Sequence, residues 1–269
     1  MKITKVDVWV LDAGEQRGAR YPICCRVYTD EGIYGDGEAG VAYGTGYTAA
    51  YGMIVDMAHH IIGMDPMNTE LIWETILKGT FWGQGGGVVV FSGMSALDIA
   101  LWDIKGKALG VPVYELLGGK TRDKVRVYAS VMHLTEDNQK LAEQYQQLQE
   151  MGFTAAKIFC NGPTSSTDGK GEFYSSRIER EVEKVRVCRE AVGPDFDFVL
   201  EVHRGMTLPE AVAFGRAVEP YRPMILEDPV PPDNVDTMAE VASKVGVPIA
   251  TGERAIDLRE FEVLMARHA

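Results

Sequence analysis

Apolar and polar positions alternate at the start of the chain and run together further on. In ITKVDVWVL (3–11), Ile3, Val6, Val8 and Val10 recur among polar residues, which predicts a strand with one buried face. PICCRVYTD (22–30) is a second strand-like run after the turn-rich DAGEQRGARY (12–21), and a third follows Asp30-Glu31-Gly32. Three adjacent strands followed by helical segments indicate a small antiparallel α+β unit. SGMSALDIALWDIKGKALGVP (92–112) reads as a helix. Leu97, Leu101, Ile104 and Ala108 share one face, Gly110 sits where the helix should stop, and Pro112 follows.

From about residue 125 the period changes to strand, helix, strand, helix. The strands are VRVYASV (125–131), TAAKIF (154–159), FDFVLEV (196–202), PMILEDP (223–229) and VPIATGE (247–253). They are short and nearly continuous in apolar character, as expected for a parallel sheet covered on both faces. Helix starts are marked by Thr207 with Glu210, and by Asp257 with Glu260. Met238, Ala242 and Val245 repeat along NVDTMAEVASKVG (234–246) before Gly246. The predicted organisation is an α+β domain over 1–115 and a βα repeat over 116–269. The segment CNGPTSSTDGKGEFYSS (160–176) interrupts the rhythm. It reads either as a surface insertion or as a lid.

Composition narrows the function. Lys+Arg is 27 against 39 Asp+Glu, a net charge of -12, which argues against nucleic acid or an anionic membrane as partner. No uninterrupted run of about 18 apolar residues occurs, so no membrane span is expected. The N-terminus lacks a signal-peptide layout. Cys24, Cys25, Cys160 and Cys188 form no C-x-x-C pair and read as reduced thiols of a cytoplasmic protein. GDGEAG (35–40) matches G-x-G-x-x-G, but no helix opens after it, so a glycine-rich strand end is the better reading than a dinucleotide site.

Three of the predicted strands close on glutamate: Glu201, Glu227 and Glu253, 26 residues apart in each step. On parallel neighbours such residues meet at the carboxyl edge of the sheet, where α/β folds carry their chemistry. Three converging carboxylates repel unless a cation neutralises them, and an all-oxygen set suits a hard ion, by default Mg²⁺. His203, two residues after Glu201, would point beside the metal as a proton donor or acceptor. Lys157 is the basic residue at the end of its strand and could steady negative charge developing on a bound substrate. Arg254 would face away from the metal and support Glu253. His59 and His60 carry no partner signal. His133, near the first of these strand ends, could line the pocket.

These residues bring a resemblance. TDEGIYGDGE (29–38), SALDIALWDIKGKALG (95–110) with LLGG (116–119), LEVHR (200–204), ILEDP (225–229) and ATGER (250–254), in this order, resemble the mandelate racemase subgroup of the enolase superfamily, and its acid-sugar dehydratases in particular. The resemblance implies an α+β capping domain on a TIM-type (β/α) barrel. It implies Mg²⁺ on Glu201, Glu227 and Glu253, removal of the proton α to a sugar-acid carboxylate, and loss of the β-hydroxyl to give a 2-keto-3-deoxy acid. His203 is then the general acid, and the loops near 12–21 and 43–51 shape specificity. Two features depart from the family pattern: Glu201 stands where many relatives have aspartate, and Lys157 lacks the partner of a K-x-K pair, which favours dehydration over racemisation. The family barrel has eight strands and this chain supplies five, so the sequence is expected to be part of a longer protein whose His–Asp base lies further on. Racemase or epimerase activity, and a fragment that only binds metal, are the competing readings. A small acid-sugar substrate and a symmetric homo-oligomer are the expected partners.

Overall fold

The computed structural model describes residues 1–14, 21–41, 45–130, 135, 137–160 and 174–269. The described chain divides into two compact units, Met1–Asp123 and Lys124–Ala269.

In the first unit, β1 (Ile3–Val10), β2 (Ile23–Thr29) and β3 (Tyr34–Ala39) form an antiparallel sheet in that order. Alternation holds strictly in β2, where Ile23, Cys25, Val27 and Thr29 are buried and the residues between them are half-exposed. Gly32, with φ 80°, turns the chain from β2 into β3. Four helices follow: α1 (Tyr47–Ile61), α2 (Thr69–Gly79), α3 (Gly87–Leu109) and the short α4 (Val113–Leu116). Helix α3 begins five residues before the sequence-predicted start and ends as expected. Gly110 adopts φ 69° and its N–H reaches Gly106 O and Lys107 O.

The α3 face bearing Leu97, Leu101 and Ile104 is buried in the core of this unit. By length and composition alone α3 could cross a bilayer, although Asp98, Asp103, Lys105 and Lys107 interrupt its apolar run. Here it is a core helix, with Ala96 and Ala100 pressed against β3. The GDGEAG motif occupies β3 from Gly35 to Ala39 and ends one residue beyond it, and its first two glycines serve that packing. Side chains at Gly35 and Gly37 would collide with the backbone of α3 at Ala100 and Ala96. The Cys25 thiol, pushed up to about 12 by burial, donates to Ala96 O at 3.4 Å. Among the described residues all four cysteines are free.

The second unit is a parallel five-stranded sheet in sequential order, β4 (Ala129–Ser130), β5 (Ala155–Phe159), β6 (Asp197–Glu201), β7 (Ile225–Glu227) and β8 (Ile249–Ala250). The intervening helices are α5 (Asn138–Glu150), α6 (Tyr174–Val192), α7 (Leu208–Val218) and α8 (Val235–Lys244), and α9 (Leu258–Arg267) follows β8. This is the βα repeat of a partial barrel. The capping box of Thr207 and Glu210 is present, and Asp257 caps α9 by accepting from Glu260 N at 3.0 Å.

The first strand differs from expectation. Val125 and Val127 are exposed, and among the described residues of 125–131 the ladder holds only at Ala129–Ser130. Between them Arg126 donates to Thr154 Oγ1, Thr154 O and Asp197 Oδ2 at 2.6–2.8 Å, tying this segment across the amino ends of β5 and β6 by side chain rather than by ladder. One face of the sheet carries Ala156, Ile158, Phe198, Leu200 and Leu226 into the main apolar core. The period of two leaves Lys157, Phe159, Val199, Glu201, Ile225 and Glu227 on the other face.

Candidate active site at the carboxyl edge of the sheet

Register decides which residues meet. Phe159 pairs with Glu201, Glu201 with Glu227, and Glu227 with Ala250. Glu201 and Glu227 are therefore true neighbours, on strands about 4.8 Å apart. Lys157, one pleat earlier on the same face, extends its ammonium to both: Nζ lies 2.9 Å from Glu201 Oε2 and 2.8 Å from Glu227 Oε1. The three side chains are 15%, 6% and 18% exposed, so they interact in a largely dry environment. Burial raises the Glu227 carboxyl above its ordinary range, with Glu201 adding repulsion against the pull of Lys157. Burial also opposes the charge on Lys157, but the hydrogen bonds it donates to Glu227 and Glu201 outweigh this and push the lysine above its usual value. The backbone beneath Lys157 is fixed by the Tyr145 hydroxyl, which donates to Lys157 O at 2.5 Å.

The equal spacing of the three glutamates does not translate into equal register. Strand β8 ends at Ala250, and Glu253 lies three residues on, in a turn opened by Gly252 at φ 123°. Its carboxylate is 45% exposed and pairs with Arg204. The expectation that each glutamate occupies the same point of its βα unit is thus corrected. Spacing along the chain includes loop residues, whereas position in a sheet is set by the ladder alone. Among the described residues no three His, Cys, Asp or Glu side chains are gathered closely enough to hold a metal ion together.

His203 is also placed differently from a simple strand continuation. Beyond Glu201 the chain leaves the extended region, and His203 and Arg204 take φ of 53° and 65°. Left-handed backbone in such residues costs on the order of 1–3 kcal/mol each and is concentrated at functional sites. The turn brings His203 N to donate to Glu201 Oε1 at 2.7 Å, so the backbone of the histidine fixes the neighbouring carboxylate. The ring lies 5.8 Å from that of Phe159 and its Nε2 is 2.8 Å from Arg204 Nη2. A guanidinium only donates, so Nε2 accepts and the ring proton sits on Nδ1.

Arg204 and Asp228 are the functional candidates that sequence reasoning passed over. Asp228 is 3% exposed, has φ 42°, and accepts from Thr251 Oγ1 at 2.7 Å. Its Oδ2 makes no hydrogen bond and lies 3.5 Å from Arg204 Nη1. The available signal was the ED pair before Pro229, since a carboxylate directly after Glu227 must point away from the first and find its own partner. Arg254 is exposed and lines, with Asp228, Thr251 and Glu260, a cavity of about 360 Å³ between β8, α8 and α9. None of Lys157, Glu201 or Glu227 lines that cavity. His59 and His60 are exposed on α1 of the first unit. His133, the central part of the proposed lid and parts of the two specificity loops lie outside the described residues.

A parallel βα sheet with acidic residues in register at its carboxyl edge, joined to an α+β unit, defines an α/β-barrel enzyme architecture. Comparison with known proteins agrees in both halves. Residues 11–118 match the mandelate racemase / muconate lactonizing enzyme N-terminal domain, and residues 140–269 match the family described as enolase C-terminal domain-like. A solved member of the enolase superfamily from Salmonella Typhimurium superposes with a TM-score of 0.90 at 39% identity, over 99% of this chain and 71% of that one. A mandelate racemase/muconate lactonizing enzyme-like protein from Roseovarius sp. TM1035 gives 0.88 at 34% identity, over 100% and 69%. D-galactonate dehydratase of Ralstonia nicotianae is 36% identical over 238 residues, 88% of this chain and 59% of that protein. The chain belongs to the enolase superfamily, in its mandelate racemase/muconate lactonizing enzyme subgroup. It spans about three fifths of the length of the curated relatives it matches.

Proposed function

We propose that the protein is a Mg²⁺-dependent acid-sugar dehydratase, a hydro-lyase acting on a sugar acid of the aldonate class. The observation that carries this reading is the in-register pair Glu201 and Glu227 sharing one half-buried cation. The two in-register carboxylates suit a hard divalent ion by their chemistry, and a third ligand must move in to complete the set. The donor set is all oxygen, Asp228 Oδ2 is buried without a hydrogen bond, and an ammonium already lies where positive charge is required, 2.8 Å from Glu227 Oε2. Glu201 and Glu227 are the ligands in this proposal, with Glu253 the third once it leaves Arg204. When bound, Mg²⁺ stabilises negative charge that develops on a substrate carboxylate.

The chain's own groups then have separate tasks. Lys157 places a positive charge on the same sheet face and steadies the carboxylate of the substrate. His203 is the general acid that protonates the departing β-hydroxyl; it acts as the imidazolium, with both ring nitrogens protonated, which releases Nε2 from Arg204. The proton α to the carboxylate leaves to a general base, the hydroxyl leaves as water, and the resulting enol tautomerises to a 2-keto-3-deoxy acid. The likeness to proteins named D-galactonate dehydratase supports this substrate class, and the net charge of -12 argues for a small-molecule substrate over nucleic acid.

The test is metal titration. Glu227→Gln keeps the shape and removes the charge, so Mn²⁺ affinity should fall at least about tenfold, since coordination and Coulomb attraction to one of two neighbouring carboxylates are lost. The same preparations are supplied with a panel of aldonates and assayed for 2-keto acid. Unchanged metal affinity in Glu227→Gln would sink the ligand assignment, and metal binding without keto-acid formation from any aldonate would sink the dehydratase reading.

A further inference from the structure

The pair Glu201 and Glu227 is held by an internal cation. We infer that Lys157 is a displaceable counter-ion: its ammonium occupies the position between the two carboxylates in the metal-free protein, and a divalent ion must expel it to bind. This rests on the metal site proposed above and goes beyond it in giving Lys157 a second task and an order of events.

Four observations carry the inference. The ammonium touches both carboxylates at 2.8–2.9 Å, so it neutralises the repulsion that register imposes on them. These contacts engage Glu201 Oε2 and both oxygens of Glu227, and Glu201 Oε1 is committed to His203 N, so a divalent ion on this face needs oxygens that the ammonium already holds. The anchor is rigid and the arm is not. The Lys157 backbone is locked in the ladder with β6 and by Tyr145, while the side chain is a flexible four-carbon stem ending in a point charge. Finally, a second resting place exists: the ammonium is already 5.7 Å from the centre of the Tyr128 ring, whose face attracts a cation.

The surrounding charge makes the exchange favourable for a divalent ion. Glu201, Glu227, Asp228 and Glu253 are served by Lys157 and Arg204, which leaves two formal negative charges uncompensated. An ion of charge +2 restores neutrality, and a monovalent ion does not. The consequence is ordering. Lys157 becomes free to meet a substrate carboxylate only after the metal has taken its place, so an acid-sugar ligand finds the lysine available in the loaded protein and sequestered in the empty one.

The experiment compares Mn²⁺ affinity, read by electron paramagnetic resonance of the free ion, in the wild-type protein, Lys157→Met and Glu227→Gln. Removing the competing ammonium should tighten Mn²⁺ binding at least tenfold in Lys157→Met. It should also lower the thermal midpoint of the metal-free protein and enlarge the rise in that midpoint on adding Mg²⁺. Equal or weaker Mn²⁺ binding in Lys157→Met overturns the inference, while a loss of affinity in Glu227→Gln leaves the metal site itself standing. Unchanged affinity in Glu227→Gln overturns both. Should Lys157→Met fail to fold, ¹⁵N-lysine spectra of the wild-type protein decide. The Lys157 Nζ resonance shifts on Mg²⁺ addition if the ammonium is expelled, and an unmoved resonance overturns the inference.

Discussion

Replacing Gly37 with alanine tests what the glycines of GDGEAG are for. A Cβ built at Gly37 comes 2.9 Å from the carbonyl carbon of Ala96, closer still to its oxygen, and 3.2 Å from Ala100 N, where ordinary contact begins at 3.4 Å. None of these atoms is the free end of a side chain. All belong to the backbone of α3, whose residues Ala96, Leu97, Ala100 and Leu101 are at most 1% exposed. Either the helix retreats from β3 or the strand bows, and both loosen the core of the first unit. Overpacking of this kind costs about 1–3 kcal/mol, and the rigidity of the obstacle puts Gly37 at the upper end. The entropy that alanine removes from the unfolded chain returns less than about 1 kcal/mol. A net loss of about 2 kcal/mol corresponds to a fall of roughly 4–8 °C in the thermal midpoint. Gly40→Ala is the control, since a Cβ there meets nothing within 4 Å and φ is not positive, so its effect should stay within about 0.5 kcal/mol. Scanning calorimetry of the two variants beside the parent checks the prediction. If Gly37→Ala melts within about 1 °C of Gly40→Ala, the packing explanation is wrong and the motif needs another reason.

Two further outcomes follow from the second unit. Phe198 is fully buried, 5.8 Å from the Tyr145 ring, 5.6 Å from the Phe196 ring and under the Arg189 guanidinium at 4.4 Å, so Phe198→Ala should lose about 3–5 kcal/mol in urea unfolding. A loss below about 1 kcal/mol would refute the view that this ring organises the helix side of the sheet. Glu210 is partly buried, which penalises its charge, but hydrogen bonds from Thr207 and the Arg177 guanidinium outweigh this and hold its carboxyl below the ordinary value of 4.5. A lowered carboxyl contributes stability that is present above that value and is lost as pH falls through the folded one. Wild-type stability should therefore drop more steeply than that of Glu210→Gln between about pH 5 and pH 3, and equal slopes in urea titrations would count against the capping-box account.

Much of the architecture was legible because it depends on local pattern. Alternation located β1 and β2, the apolar face and Gly110 located α3, and the Thr207 and Asp257 caps marked two helix starts. These features are written within a few residues of one another, so one sequence window contains the cause and the effect. Short apolar runs likewise marked the parallel strands, and their terminal glutamates pointed to the carboxyl edge. The strand expected at 125–131 is not continuous over its described residues, because Val125 and Val127 are exposed and Arg126 holds the segment through Thr154 and Asp197, partners far along the chain.

The composition of the site was readable and its pairing was not. From sequence alone, Glu201, Glu227 and Glu253 were equivalent members of a 26-residue repeat, and Lys157 was a neighbouring charge. The ladder decided that Glu201 and Glu227 are partners, that Ala250 rather than Glu253 continues the row, and that Lys157 lies between the first two. It also turned Glu253 to Arg204 and buried Asp228 beside it. The physical reason is that charge interactions are set by separations of a few ångström, and loop lengths erase that information from the spacing along the chain. Sequence by itself determined which groups reach the edge of the sheet. Only the tertiary structure decided which of them share a cation.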